Sequence, residues 1–132
     1  MEKDFDAWNE AKKAIQKGNA RMFYHEREVW WCSLGINIGD EQDGTGRNFD
    51  RPILIIREFN EHIFLGIALI GKKKVGEYYF SLGTVDDREA SVVLSQIRLI
   101  DTKRLVRKIA TLEEGIFEEL KSALRRTLFG AP

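Results

Sequence analysis

Arg51 ends a polar, glycine-rich stretch and is locked against Pro52, where the apolar run Ile53-Leu54-Ile55-Ile56 begins. A strand start of this kind holds a cation rigidly. A guanidinium is planar, permanently charged and bidentate, which suits a clamp on a phosphate. The plainer role is a surface ion pair with Asp50 or Glu41. Lys72-Lys73-Lys74 fits a solvated turn and a set of phosphate contacts equally well. Residues 21–27 interleave basic and aromatic side chains, from Arg21 to Arg27. They could stack bases, but the favoured reading is a half-buried strand approaching a sheet.

Other chemistries find no residues to carry them. One cysteine, Cys32, and two histidines, His25 and His62, show no metal-ligand spacing. The run Asp40-Glu41-Gln42-Asp43 begins like a calcium loop, but Arg51 stands where the closing glutamate should be. Gly44-Thr45-Gly46-Arg47 is neither a P-loop nor a dinucleotide fingerprint. No nucleophile elbow is present. Cys32 sits in an apolar run and reads as packed, and His62 beside Asn60-Glu61 reads as a turn residue. No cofactor and no metal are expected.

The chain that must position Arg51 has 132 residues, of which 43% are hydrophobic, enough for one domain with a true core. No apolar run is long enough to span a membrane, and the acidic, polar N-terminus predicts neither a secretory signal nor a transit peptide. The lone cysteine fits a reducing cytosol, so a cytoplasmic protein is expected. Lysines and arginines balance aspartates and glutamates at 21 each. That argues against a general, charge-driven nucleic-acid binder but not against a local basic site. Residues 1–50 carry 7 positive and 10 negative charges, and residues 71–132 carry 12 and 9, so the positive excess lies in the second half.

Residues 4–17 predict a helix, with Asp4 as N-cap and Phe5, Trp8, Ala11 and Ile15 on one face. It forms an N-terminal extension over 1–20, ahead of a domain over 21–132. Strands are predicted near 28–34, 52–58, 62–70, 77–82 and 91–100, with Asn60-Glu61 as a turn. The run 53–56 is apolar on both faces and predicts a central strand. The loop between the first two strands is far longer than a tight hairpin needs, which marks a functional or disordered segment. One helical turn near 103–109 is expected to lead back to a strand. Thr111 and Glu114 then form a capping box for a closing helix, with Leu112, Ile116, Phe117, Leu120, Ala123, Leu124 and Leu128 as its stripe and Gly130 as its stop. Five or six short strands with short turns suggest a small, partly closed antiparallel barrel, mainly β with two helices.

These pieces resemble, in order, the PemK/MazF family of type II toxins. Glu28-Val29-Trp30-Trp31 is similar to its first strand and Gly39-Asp40-Glu41-Gln42 to its Gly-x-Glu-Gln loop. Arg51-Pro52-Ile53-Leu54-Ile55 resembles its Arg-Pro-hydrophobic strand. Ser91 to Asp101 followed by Lys103-Arg104-Leu105 resembles its Gln-x-Arg-x-x-Asp-x-x-Arg-Leu signature. The likeness spans about 27–128. It implies an SH3-like barrel, a homodimer, a cognate antitoxin, and metal-independent cleavage of single-stranded RNA by the RNA's own 2′-hydroxyl. Arg51 matches the essential arginine and Glu41 an acidic residue of the same loop. Gln42, Thr45, Arg47, Lys72 and Lys73 would then bind RNA. One position departs: the third strand of the family ends in Thr or Ser, whose hydroxyl contacts the scissile phosphate, and here that position falls on Ile70. Loss of one preorganised donor costs on the order of 100- to 1,000-fold in rate. The alternative is therefore a catalytically degenerate barrel that binds RNA or an antitoxin-like partner without cutting.

Overall fold

The computed structural model describes residues 23–34 and 50–130. The expected helix over 4–17 and the loop bearing Glu41, Gln42, Thr45 and Arg47 lie outside them. Among the described residues, seven strands form one curled antiparallel sheet: β1 (Glu28–Ser33), β2 (Asp50–Glu58), β3 (Ile63–Ile70), β4 (Tyr79–Val85), β5 (Arg88–Val93), β6 (Arg98–Asp101) and β7 (Leu105–Thr111). The order is β4-β5-β3-β2-β1-β7, and β6 joins the free side of β3. β3 is therefore shared: its first half pairs with β6 and its last two residues pair with β5. That fork makes the sheet curl into a half-barrel. One helix, α1 (Glu114–Phe129), closes it.

The two faces of β2 carry two cores. Leu54 and Ile56 point with Val29, Ile67 and Leu69 toward Phe117, Leu120 and Leu124 of α1. Ile53 and Ile55 point the other way, with Trp30, Cys32, Phe64 and Ile100. Ile53, Leu54 and Ile55 are wholly buried, as a central strand between β1 and β3 must be. Gly66 of β3 faces Ile53, and a Cβ there would lie 2.8 Å from Ile53 Cγ2 and 2.8 Å from Phe64 Cε2. Only glycine lets these two strands and the Phe64 ring coexist.

Four expectations need correction. Residues 23–27 are a turn, not a strand: Arg27 has φ 75°, and the Glu28 amide donates to the His25 carbonyl. Tyr24 packs and donates its hydroxyl to the Asn60 carbonyl at 2.6 Å, whereas Phe23 is exposed. The predicted strand 91–100 is two strands, β5 and β6, separated by a 3₁₀ turn at Leu94–Gln96 that lets the chain move from one half of β3 to the other. The helical turn near 103–109 is shorter, a 3₁₀ turn at Thr102–Arg104, and Leu105 already begins β7. Thr111 does not cap α1. It ends β7, because the Leu112 amide still donates to the Arg27 carbonyl at 2.8 Å and keeps the backbone extended. Glu113 is the N-cap and makes no side-chain capping bond. The stop at Gly130 is as expected, with φ 66° and its amide donating to Arg126.

Turn chemistry elsewhere follows the sequence. Asn60 Oδ1 accepts from the His62 and Ile63 amides at 2.7 and 3.0 Å, which closes the β2–β3 turn. His62 sits there exposed, beside Glu61. β4 and β5 are joined by Asp86-Asp87 alone, with φ 50° and 64° at those residues and Val85 paired to Arg88. Two positive φ values are what a two-residue primed hairpin turn requires.

Candidate functional site

Pro52 fixes where Arg51 points. Its ring sets φ near −65° and its missing amide hydrogen suits a strand start, and Arg51 occupies the second position of β2, paired with Cys32 of β1. The pairs Ile53–Ala68, Leu54–Ile67 and Ile55–Gly66 define the β2–β3 register. Two further steps along it bring Ile70 level with Arg51. Both residues are half-buried and border a groove of about 670 Å³, and their side chains project from the face of the sheet that carries Cys32, Ile53 and Ala68.

Strands build the floor of this groove and a hairpin builds its wall. Trp31, Pro52 and Leu69 form a row across β1, β2 and β3, extended by Arg107 and Ile109 on β7. The wall is the tip of the β4–β5 hairpin, Asp86, Asp87 and Arg88. Arg88, Arg107 and two aspartates thus line the groove on the Trp31–Pro52 face, whereas the Arg51 side chain, paired with Cys32, alternates to the other face of the sheet. Asp50, at the start of β2, pairs with Ser33 of β1 next to Arg51.

Neighbouring charges are placed with consequence. Burial raises the Asp50 carboxyl above the ordinary carboxylate range, and the positive charge of Arg107 opposes that rise. Arg107 in turn lies over the Trp31 ring, 5.8 Å from its centroid. Arg104 is half-buried and donates to the Ser33 carbonyl at 3.0 Å and to the Leu34 carbonyl at 3.4 Å, which holds the end of β1. Burial, then Arg98, lowers its pKa, while Asp101 and Cys32 raise it. Cys32 is wholly buried, and burial pushes its thiol far up, so it stays protonated and unreactive.

On the other face of the sheet, the one that carries Arg51, Glu28 anchors the β1–β7 pairing. Its Oε1 accepts from the His25 amide at 2.8 Å and the Trp30 indole at 3.0 Å, and its Oε2 meets Lys108 Nζ at 2.9 Å. Burial alone would raise this carboxyl. The bonds from Trp30, Lys108 and His25 outweigh burial and lower it. Lys108 and Arg107 are consecutive, opposite Trp30 and Trp31, with bulges on either side of that stretch. The Glu28 cluster therefore holds the register that sets Arg107 over Trp31.

Of the residues marked by sequence, Arg51 and Ile70 come together. Lys72 and Lys73 are exposed just beyond Gly71, at the groove's end. Glu41, Gln42, Thr45 and Arg47 fall outside the described residues. Among the described residues, no three His, Cys, Asp or Glu side chains gather as a metal site. Trp31, Arg88, Arg107 and the Asp86-Asp87 turn were not singled out. Their only signal was an aromatic and a cation in runs that become adjacent strands, which is invisible until the strands pair.

The sequence matches the description "PemK-like, MazF-like toxin of type II toxin-antitoxin system" over residues 25–128. It is 27% identical over 116 residues to the endoribonuclease EndoA of Bacillus subtilis (strain 168), covering 81% of this chain and 96% of that protein. The fold is similar to an endoribonuclease in complex with its cognate antitoxin from mycobacterial species, with TM-score 0.64, 16% identity, 83% of this chain and 98% of that one. It is also similar to MazF from Deinococcus radiodurans, with TM-score 0.63, 16% identity, 83% of this chain and 99% of that one. At such identities the two structures speak for the fold.

Proposed function

The chain belongs to the PemK-like, MazF-like family of type II toxin–antitoxin toxins, and we propose that it is an endoribonuclease whose reaction takes place at Arg51. The observation that carries this reading is that Arg51 and Ile70 stand level on adjacent strands, on the same face of the sheet. A guanidinium held rigidly at a strand start suits a phosphodiester, whose charge grows as a fifth oxygen joins phosphorus. The EndoA relative is named an endoribonuclease, in keeping with that chemistry.

The proposed step needs no metal. The 2′-hydroxyl oxygen of the RNA attacks the adjacent phosphorus and gives up its proton to a base, for which Glu41 is the candidate. The P–O2′ bond forms and the P–O5′ bond breaks, leaving a 2′,3′-cyclic phosphate. The departing 5′-oxygen takes up a proton to become a hydroxyl. Arg51 neutralises the extra charge on the phosphorane, and Gln42, Thr45, Arg47, Lys72 and Lys73 hold the strand. A homodimer and an inhibiting antitoxin belong to the same reading.

Ile70 favours a second reading. A side chain without a donor stands where the family uses a hydroxyl, so the site binds RNA but cuts it slowly or not at all. One experiment decides. The chain is expressed inducibly in bacteria beside Arg51→Ala and Ile70→Thr, and new 5′ ends are mapped in total RNA. Discrete cuts that vanish in Arg51→Ala support the nuclease. Cuts absent from the parent and gained in Ile70→Thr support the weakened barrel. Parental cuts that persist in Arg51→Ala would remove Arg51 from the chemistry.

A further inference from the structure

The pairing of β1 with β7 ends at Cys32 and Leu105, one residue short of the end of β1 at Ser33. On its other side β1 still meets β2 there, with Cys32 opposite Arg51 and Ser33 opposite Asp50. Beyond the last β7 pair a side chain takes over from backbone. Arg104 Nη1 donates to the Ser33 carbonyl at 3.0 Å and to the Leu34 carbonyl at 3.4 Å. The turn that bears Arg104 is itself pinned. The Lys103 amide donates to Asp101 Oδ1 at 2.8 Å, and the Thr102 amide and hydroxyl donate to the His62 and Glu61 carbonyls, each at 2.8 Å. Burial and the nearby Arg98 both oppose a charge at this spot, with Asp101 in its favour, so directed bonds to carbonyls help fix where the guanidinium lies.

We propose that Arg104 is a positioning residue for Arg51: its guanidinium continues the β7 side of β1 where backbone pairing stops, keeps the last β1–β2 pairs closed, and so fixes where the Arg51 side chain starts. This inference rests on the RNA-cleaving reading above and adds to it a residue that acts through another and touches no RNA. Arg51 is the second residue of β2, and strand ends open more easily than strand centres. The first β2–β3 pair in the register is Ile53 with Ala68, two residues further in, so the pairing at Arg51 itself comes from β1. A lysine in place of Arg104 carries the charge without the planar fork. A methionine keeps much of the stem and has no donor. A catalytic group displaced by about 1 Å loses on the order of 100-fold in rate.

The test reads order at Arg51 and chemistry separately. Backbone order parameters are measured by NMR for the full chain, for Arg104→Met and for Arg104→Lys. In the wild type Ser33 and Arg51 should lie in the rigid range, about 0.85, and in Arg104→Met they should fall below about 0.6. Val29 and Leu54, further along the same ladder, should stay rigid, which also shows that the fold is kept. Arg104→Lys should lie between. Single-turnover cleavage is then followed at the mapped RNA site, in the wild type or in Ile70→Thr, whichever cuts. Arg104→Met should slow it on the order of 100-fold. Binding of the same RNA remade with 2′-fluoro sugars, which cannot be cut, should stay near the parental value with its salt dependence unchanged. A phosphate contact by Arg104 would instead weaken binding and reduce the salt slope by about 0.7, and that result overturns the inference. So do order parameters at Ser33 and Arg51 that are the same in Arg104→Met as in the wild type. If neither protein cuts RNA, the RNA reading fails, and the order parameters still decide whether Arg104 holds Arg51 in place.

Discussion

Replacing Glu28 with Gln tests the anchor beneath the groove. The carboxylate makes three close contacts, but the two from His25 and Trp30 both end on Oε1, and a glutamine oxygen can still accept them. Glu28→Gln therefore removes one interaction, the 2.9 Å contact between Oε2 and Lys108, and sets an amide donor against an ammonium. A hydrogen bond to a charged group contributes about 1.5–3 kcal/mol. The Lys108 side chain is 46% exposed and recovers water when released, so the expected loss is discounted to about 1–2 kcal/mol at pH 7. In a chain of this size that is a fall in Tm of roughly 4–8 °C. The sign with pH follows from the carboxyl being lowered in the fold. Its contribution is present above the unfolded value of 4.5 and is lost as pH falls through the folded value. Urea melts of the wild type and Glu28→Gln at pH 7 and at pH 3 read the effect directly. The gap between them should shrink on acidification, and a gap of the same size at both pH values would refute the argument.

Three further outcomes are expected. Gly66→Ala, which places a methyl 2.8 Å from both Ile53 and Phe64, should destabilise by about 1–3 kcal/mol in a denaturant melt. Cys32, wholly buried with its thiol pKa pushed up by burial, should resist an aromatic disulfide reagent until the protein unfolds, so its labelling rate in urea should track the unfolding curve. Ile70→Thr restores a donor level with Arg51 and should speed single-turnover cleavage of a mapped RNA site about 100- to 1,000-fold.

Periodicity and punctuation alone located most of the strands and the closing helix, because each is a local pattern of burial. The run 53–56 announced a central strand, Asn60 a turn and Gly130 a helix end, and each holds in the structure. The misread places share one cause: a distant partner overrides a local preference. Thr111 followed by Glu114 is a good capping box in isolation, yet the Arg27 carbonyl claims the Leu112 amide and prolongs β7. Residues 91–100 alternate like a single strand, yet the chain must break at Leu94–Gln96 to serve both halves of β3.

For the site the division is sharper. Arg51 was legible because a proline and an apolar run fix an arginine at a strand start through bonds within a few residues. Arg107 was not, since in sequence it is one basic residue among several between Arg98 and Lys108. Its neighbours in space are Trp31, 76 positions earlier in the numbering, and the hairpin tip at Asp86-Asp87. Side-chain type and local order determine which residues can bind charge. Only strand pairing, which joins residues far apart in the chain, decides which of them share a face of the sheet.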